Sequence, residues 1–245
     1  CLSVAFVPDG ASIISGWADG KIRAFAPQTG KLLYEINDAH PHGVTTLVGS
    51  SDGARVISGG KEGNVRVWRI GAESQTMVAS MKEHKGCINS LALRANDSEC
   101  VSASSDGSCI VWDLDRFVRQ HALTANTFFK ACAYHPDESQ IVTGGTDRKV
   151  TWWDSFDGSA IRVLDGSDTA EINALDVSTC GNMMVTGGAD KAVTVWGYDS
   201  GTKLVVGKGH SGAVTKVKFT PDGEKIVSVG AEGAIFIWSN VVQGE

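Results

Sequence analysis

The sequence predicts an all-β fold built from six similar repeats. An aromatic residue closes a strand-like run at intervals of 41 to 44 residues along the chain. Short runs of alternating β-branched and polar residues lie between turns rich in Gly, Asp and Pro, as in half-buried strands. The closing aromatic residues are Phe25, Trp68, Trp112, Trp153, Trp196 and Trp238. A near-constant period over all 245 residues leaves no room for a linker or an unrelated second domain.

Each repeat contains up to four predicted strands. In the last repeat these are VTKVKF (214–219), KIVSVG (225–230) and AIFIW (234–238). The first five repeats add a fourth strand: KLLYEI, QTMVAS, FVRQHA, AIRVLD and KLVVGK. Four short strands in about 40–45 residues are typical of a β-propeller blade. SNVVQGE, which follows Trp238, is too short for a fourth strand, so we expect 23 strands.

We expect one β-propeller domain spanning residues 1–245. The expected repeats are approximately 1–30, 31–73, 74–116, 117–158, 159–201 and 202–245. A single blade cannot bury both of its faces, so neighbouring blades stack on each other. The sixth repeat lacks a fourth strand, and Cys1 already lies inside a strand-like run. The six repeats are therefore expected to belong to a seven-bladed ring, with one blade formed before residue 1.

Composition narrows the possible partners. The net charge of −6 and the pI of about 5.5 argue against a nucleic-acid partner, because such binding depends on neutralising phosphates. No apolar run approaches the roughly 20 residues of a membrane-spanning helix, so no membrane partner is expected. The sequence contains neither a phosphate-binding glycine-rich motif nor zinc-ligand spacing. We therefore expect no cofactor, no metal and no small-molecule substrate.

The stretch SASSDGSCIVWD (102–113) raises the question of catalysis. Ser102 and Asp106 follow His84 in the chain, and Ser, His and Asp together form the triad of many hydrolases. When the repeats are aligned on their tryptophans, the same trio recurs, and it tolerates Thr, Glu and even Ala (Ala125). A catalytic nucleophile needs one exposed site, whereas this pattern repeats along the chain.

We interpret the recurring trio as a buried hydrogen-bond network with tryptophan as its fourth member. The carboxylate would accept from the histidine ring, the histidine would reach the hydroxyl, and the hydroxyl would accept from the indole N–H. Each such bond stabilises the fold by about 1 kcal/mol. The predicted network residues are His84, Ser102, Asp106 and Trp112; His210, Ser228, Glu232 and Trp238; and His40, Ser58, Glu62 and Trp68.

The turns that follow the second strands are candidates for a partner-binding rim. A tryptophan in such a polar turn is unusual, and aromatic residues are enriched in interface hot spots. Trp17 could instead fold over its own blade, and the basic residues could be ordinary solvated turn residues. The candidate rim consists of Trp17, Lys61, Arg148 and Lys191 in these turns, and of Phe128, which follows Ala125 in the fourth repeat.

Residues 209–238 resemble a WD40 repeat from its Gly-His to its Trp. They read GHSGAVTKVKFTPDGEKIVSVGAEGAIFIW. This resemblance implies a non-catalytic platform for protein assembly. Residues 12–34, 99–116 and 145–167 further resemble a two-propeller WD-repeat family of motile cilia. That resemblance implies seven blades, a location in the cytoskeleton of the ciliary or flagellar axoneme within the cytoplasm, and attachment to the inner wall of doublet microtubules. The implied partners are tubulin and other luminal proteins of the axoneme.

Two other functions compete with this scaffold role. The first is a general WD40 adaptor that recognises a peptide on the top face of the ring. The second is a propeller enzyme, which would carry one unique cluster of ionisable residues facing the central channel. The sequence shows only features that recur from repeat to repeat, so we favour the scaffold.

Overall fold

The structure is a computed structural model that describes residues 1–8 and 10–240. The described chain consists of 23 β-strands joined by turns, and the predicted all-β fold class is confirmed. Two compact units divide the chain, Cys1–Ala125 (unit 1) and Asn126–Glu245 (unit 2). Each unit is a set of antiparallel sheets in which neighbours in the chain are neighbours in the sheet.

Unit 1 contains three four-stranded sheets, and these have the strand order expected of propeller blades. Their strands are β1 (Ser3–Phe6), β2 (Ile13–Gly16), β3 (Ile22–Phe25) and β4 (Leu32–Ile36); β5 (Val44–Gly49), β6 (Arg55–Gly60), β7 (Val65–Ile70) and β8 (Gln75–Met81); and β9 (Ile88–Leu93), β10 (Glu99–Ser104), β11 (Ser108–Asp113) and β12 (Val118–Thr124).

Unit 2 contains two four-stranded sheets and one described three-stranded sheet. Their strands are β13 (Phe129–Tyr134), β14 (Gln140–Gly145), β15 (Lys149–Asp154) and β16 (Ala160–Asp165); β17 (Ile172–Val177), β18 (Met183–Gly188), β19 (Ala192–Gly197) and β20 (Lys203–Lys208); and β21 (Val214–Phe219), β22 (Lys225–Gly230) and β23 (Ile235–Ser239). The five predicted fourth strands are β4, β8, β12, β16 and β20. Most of the SNVVQGE segment, residues 241–245, lies outside the described residues.

Within each unit, successive sheets share buried clusters to which their third strands contribute. Trp112 of the third sheet packs in one buried cluster with Val65 and Val67 of the second sheet. In unit 2, Trp196 of the fifth sheet shares a cluster with Val150 and Trp152 of the fourth. Each fully buried aliphatic or aromatic side chain of this kind contributes about 1.5–3 kcal/mol. The closing tryptophans of the third and fifth sheets therefore take part in the contact with the preceding sheet.

A β-bulge directs the closing aromatic residue. In all five four-stranded sheets the register between the third and fourth strands shifts immediately before that residue, as between Val111 and Trp112. A bulge bends the strand and turns the following side chain. The indole is thereby held over the second strand of its own sheet, where its N–H meets a hydroxyl group.

Each sheet has two ends, which we name by their turns. The upper end carries the turn between the second and third strands and the connection to the next sheet. The lower end carries the turn between the first and second strands and the turn between the third and fourth. Among the described residues, no helix has the length and apolar character needed to cross a membrane.

The upper turn between the second and third strands needs a left-handed backbone at one position. Four sheets place glycine there, with φ between +82° and +87° at Gly20, Gly63, Gly107 and Gly233. The fourth and fifth sheets instead place Arg148 and Lys191 there, with φ of +68° and +67°. A side chain in this conformation costs about 1 kcal/mol relative to glycine.

Two of these glycines provide a matched test of the turn. A Cβ on Gly63 would lie 2.5 Å from the carbonyl oxygen of His84, whereas a Cβ on Gly233 would meet nothing within 4 Å. Both alanine variants face the left-handed cost of about 1 kcal/mol, and Gly63→Ala must also displace backbone. We expect Gly63→Ala to destabilise the protein by about 1–2 kcal/mol more than Gly233→Ala, measured by urea denaturation. Equal losses would show that the close approach to His84 does not constrain the turn.

Candidate functional site

The third sheet brings together His84, Ser102, Asp106 and Trp112 at its upper end. The Nδ1 atom of His84 lies 2.9 Å from Oδ2 of Asp106, and its Nε2 atom lies 2.8 Å from the Ser102 hydroxyl oxygen. The indole N–H of Trp112 donates to the same hydroxyl oxygen at 2.8 Å. Asp106 sits in the upper turn, so the network ties the second strand, the third strand and the turn to the loop that carries His84.

The same network recurs in the second and sixth sheets. His40 lies 2.5 Å from Glu62 and 2.8 Å from the hydroxyl of Ser58, which also accepts from Trp68 at 2.9 Å. His210 lies 2.5 Å from Glu232 and 2.7 Å from Ser228, which accepts from Trp238 at 2.8 Å. All twelve residues singled out in the sequence are thus assembled into three four-membered networks.

Burial fixes the charge states within the network. Loss of solvent lowers the pKa of His40 and of His84 below the ordinary value, although the neighbouring carboxylates oppose this effect. Burial alone would raise the pKa of Asp106, but hydrogen bonds from Ser108 and the Lys85 N–H outweigh it and lower that pKa to about 2. A neutral His84 therefore donates from Nδ1 to the Asp106 carboxylate and accepts the Ser102 hydroxyl proton at Nε2.

This geometry does not suit nucleophilic catalysis. Ser58, Ser102 and Ser228 are completely buried, with an exposed fraction of 0%. Each hydroxyl oxygen already accepts a tryptophan N–H and contacts a histidine nitrogen. A nucleophilic serine must instead present its oxygen to a substrate and leave its lone pairs available. The trio is a set of hydrogen-bonded groups, each with a buried serine, that recurs in three separate sheets.

One carboxylate oxygen in the second sheet lacks a hydrogen bond that its counterpart in the third sheet accepts. In the third sheet the backbone N–H of Lys85 donates to Asp106 Oδ2 at 2.8 Å. The equivalent residue in the second sheet is Pro41, which has no N–H. Glu62 Oε2 is buried and has no hydrogen-bond partner among the described residues. The second-sheet network is therefore weaker by one charge-assisted bond.

The first sheet obtains its indole from a different position. Its third strand ends in Phe25, and Trp17 of the upper turn donates its N–H to the hydroxyl of Ser15 at 2.8 Å. The Arg23 guanidinium lies over the Trp17 ring at 4.9 Å and pairs with Asp19 at 2.8 Å. Trp17, a candidate rim residue, is thus half-buried over its own sheet. The signal in the sequence was the phenylalanine at the tryptophan position, which leaves Ser15 without its usual donor.

The fourth and fifth sheets lack the histidine and use hydroxyl groups instead. Alignment places Ala125 at the histidine position of the fourth sheet, but the structure brings the Thr127 hydroxyl to Asp147 at 3.1 Å. In the fifth sheet the Ser167 hydroxyl donates to Asp190 at 2.8 Å. The tryptophan bonds are kept, from Trp153 to Thr143 at 2.8 Å and from Trp196 to Thr186 at 2.9 Å.

The remaining candidate rim residues are solvent-exposed at the upper ends of their sheets. The ring of Phe128 is 58% exposed, and Lys61 and Lys191 are exposed in their turns. Arg148 is also exposed, and its Nη1 donates to the backbone oxygen of Asp168 at 2.8 Å. Among the described residues, no group of His, Cys, Asp or Glu side chains is placed to hold a metal ion.

The completeness of each network predicts its contribution to stability. Asp106 accepts bonds from the His84 ring, the Lys85 N–H and the Ser108 hydroxyl, whereas Asp147 accepts one side-chain bond from Thr127. We expect His84→Ala and Asp106→Ala each to lower the local unfolding free energy by about 1–3 kcal/mol, and Asp147→Ala by less. Hydrogen exchange of the β10–β11 and β14–β15 hairpins measures both. A larger loss for Asp147→Ala would contradict the ranking.

The lowered histidine pKa values also predict a pH dependence. The unfolded chain binds a proton at His84 near its ordinary pKa of 6.5, whereas the folded protein resists that proton. Stability is therefore full above about pH 6.5 and falls as the pH drops below it. We expect the drop in stability from pH 7.5 to pH 5.5 to be smaller for His84→Gln than for the unmutated protein. Urea midpoints at the two pH values measure this drop. His42→Gln, at an exposed position, is the control for the loss of one histidine.

Comparison with known proteins agrees with the repeat. The profile of the "WD domain, G-beta repeat" family matches residues 30–69, 75–113, 117–154, 158–197 and 201–239. "Cilia- and flagella-associated protein 52" of Chlamydomonas reinhardtii is 60% identical over 97% of this chain and 39% of its own length. The Homo sapiens protein of that name is 51% identical over 97% of the chain and 38% of its own length.

A more distant relative is similar to this chain at lower identity. "Protein groucho" of Drosophila melanogaster is 26% identical over 76% of the chain and 25% of its own length. The chain spans about 39% of the length of the Chlamydomonas reinhardtii relative, to which it is 60% identical. Because the family profile matches most of its residues in five successive repeats, this chain belongs to the WD40 family.

Proposed function

We propose that this chain is part of a non-catalytic structural protein of motile cilia or flagella that binds the inner wall of axonemal doublet microtubules. The high identity to proteins named for cilia and flagella supports the location. The proposed partners are tubulin and other luminal proteins of the axoneme. The chain would contribute a set of rigid sheets whose turns make the contacts.

The observation that carries the proposal is the hydrogen-bond network that recurs in three sheets. Three buried serines are each held between an indole and a histidine, which makes them braces for the upper turns. A structural protein of a beating organelle benefits from turns that do not change conformation under load. Turn residues held in this way can present side chains to a partner with little further loss of conformational entropy.

Basic residues on the upper turns fit an acidic partner such as tubulin. Lys61, Arg148 and Lys191 are exposed there. Two of them, Arg148 and Lys191, occupy the left-handed position that glycine fills in four other sheets. Residues in this conformation are enriched at functional sites, which supports the proposal. We therefore propose that each of these exposed side chains, within its own unit, contributes to microtubule binding.

Fractionation of ciliary axonemes tests the proposal. The full-length protein should remain with doublet microtubules after a salt wash that removes outer-surface proteins. Its deletion should remove density from the lumen of the doublet in electron cryotomography. Recovery only in soluble complexes would contradict the scaffold role and favour an adaptor that binds peptides at the upper end.

The charge contribution can be tested without weakening the fold. Arg148→Gly and Lys191→Gly introduce the residue that the equivalent turns already contain, and Lys61→Ala removes a third exposed charge. Three ion pairs at roughly 0.5 kcal/mol each correspond to about a tenfold weaker attachment. We expect the triple variant to be released from salt-washed doublets at lower salt. The control Lys31→Ala, at the lower end, should be retained like the unmutated protein, and equal retention of the triple variant would contradict the assignment.

A further inference from the structure

The lower turn of the fourth sheet carries a histidine that reaches into the next sheet. His135 begins the turn between β13 and β14, and its backbone N–H donates to the oxygen of Gln140 at 2.9 Å. The residues that make this backbone bond in the other sheets are Val7, Ser50, Arg94, Ser178 and Thr220. The three hydroxyl groups in that set bond to oxygen atoms of their own turns. The His135 ring is different, because it contacts a turn of the fifth sheet.

One ring nitrogen of His135 joins the fourth sheet to the fifth. Its Nε2 lies 3.1 Å from the carbonyl oxygen of Gly181, in the turn between β17 and β18. A carbonyl oxygen only accepts hydrogen bonds, so Nε2 carries a proton in this contact. A Cβ on Gly181 would lie 2.6 Å from Nε2, and the φ of Gly181 is +77°. The glycine therefore leaves the space that the ring occupies against the fifth sheet.

The other ring nitrogen of His135 has a partner for each protonation state. The backbone N–H of Asp137 lies 3.3 Å from Nδ1 and can donate to a neutral ring. The Asp137 carboxylate oxygen Oδ1 lies closer to Nδ1, at 2.7 Å. Hydrogen bonds from the N–H and hydroxyl of Ser139 lower the pKa of Asp137 to about 2, so this oxygen is charged at neutral pH and only accepts. An unprotonated Nδ1 would set two lone pairs against each other at 2.7 Å, whereas a protonated Nδ1 forms an ion pair.

The aromatic neighbour of His135 also favours a positive charge on the ring. The His135 and Tyr198 rings pack with their centroids 4.4 Å apart. Burial raises the pKa of Tyr198, so the phenol stays neutral and its ring can face a cation. The Tyr198 hydroxyl donates to Oε1 of Gln140 at 2.9 Å, which fixes the ring in place.

Charged groups on the elements around His135 are mainly carboxylates. The turns 135–139, 178–182 and 198–202 contain Asp137, Glu138 and Asp199 and no Lys or Arg. The cation beside them is Arg162 of β16, which donates to the backbone oxygen of Tyr198 at 2.6 Å. Its guanidinium lies over the Trp152 ring at 4.0 Å. Cys180 is the remaining titratable side chain of these turns, and the Ser178 hydroxyl lowers the pKa of its thiol.

We propose that His135 is a proton-dependent latch between the lower turns of the fourth and fifth sheets. The charged ring pairs with Asp137, and its Nε2–H makes a charge-assisted bond to the Gly181 oxygen, about twice as strong as a neutral bond. When Nδ1 loses its proton to solvent, it accepts from the Asp137 N–H instead, and the bond to Gly181 weakens. The contact between the two turns is therefore tightest at low pH and loosens as the pH rises. This inference does not rest on the proposed function.

Hydrogen exchange of the full-length protein, followed by mass spectrometry, tests the latch. The reporter is the turn 178–182, because His135 is the only histidine between residues 126 and 208. After correction for intrinsic exchange rates, we expect protection of this turn to be about threefold greater at pH 5.5 than at pH 7.5. The histidine networks of the upper ends weaken at low pH, so they act in the opposite direction and cannot imitate this result.

Two variants remove the latch in different ways. His135→Phe keeps a ring against Tyr198 but removes both nitrogen contacts, so protection of the turn should be low and equal at the two pH values. Asp137→Asn removes the charge that favours the second ring proton, so protection should again be independent of pH. The Asp137 side chain is 60% exposed, and this variant therefore decides the question even where His135→Phe does not fold.

Two control variants should keep the pH dependence of the unmutated protein. His121→Phe, on β12, removes a histidine outside these turns. Cys180→Ser removes the thiol beside Gly181. Equal protection at both pH values in the unmutated protein would overturn the proposal. A difference that survives in His135→Phe or Asp137→Asn, or one that disappears in Cys180→Ser, would also overturn it.

Discussion

A hydrogen bond from an indole N–H to a hydroxyl on the second strand is present in all six sheets. The six distances lie between 2.8 and 2.9 Å. The hydroxyl is buried in every case, and leaving a buried polar group unsatisfied costs about 1–3 kcal/mol. In the second, third, fifth and sixth sheets the bond joins the second strand to the tryptophan that shares a buried cluster with the preceding sheet. Stacking between sheets and hydrogen bonding within a sheet therefore depend on the same side chain.

The histidine networks extend that bond towards the upper turn. Where the histidine is present, it carries the hydroxyl interaction to a turn carboxylate and thereby fixes the loop between sheets. Where it is absent, Thr127 and Ser167 hold the carboxylate directly, and the tryptophan bond remains as a separate contact. The fourth and fifth sheets are thus braced at two points, whereas the second, third and sixth are braced by a continuous chain of bonds.

Much of this arrangement was predictable because it repeats. The constant spacing from histidine to serine and to the acid made the partners of His40, His84 and His210 evident from one alignment, and the alternation of β-branched residues predicted the strands. The substitutes could not be found in the same way. Trp17 lies two residues after Ser15, and Thr127 lies two residues after Ala125. Only the path of the turn in the structure shows that Trp17 reaches the Ser15 hydroxyl and that Thr127 reaches the Asp147 carboxylate. Which side chain replaces a missing member of the network depends on distances in the folded structure. The spacing of residues in the sequence does not give those distances.

The displaced indole of the first sheet bears on how such repeats are counted. The family profile begins at residue 30 and so passes over residues 1–29, although that segment forms most of a four-stranded sheet of the same kind. Its third strand ends in Phe25, and the donor has moved to Trp17 without loss of the bond to Ser15. Within this chain the donor is thus supplied from either of two backbone positions, the end of the third strand or the upper turn. Repeat numbers inferred from the position of tryptophan alone will therefore be too low in sheets where this exchange has occurred.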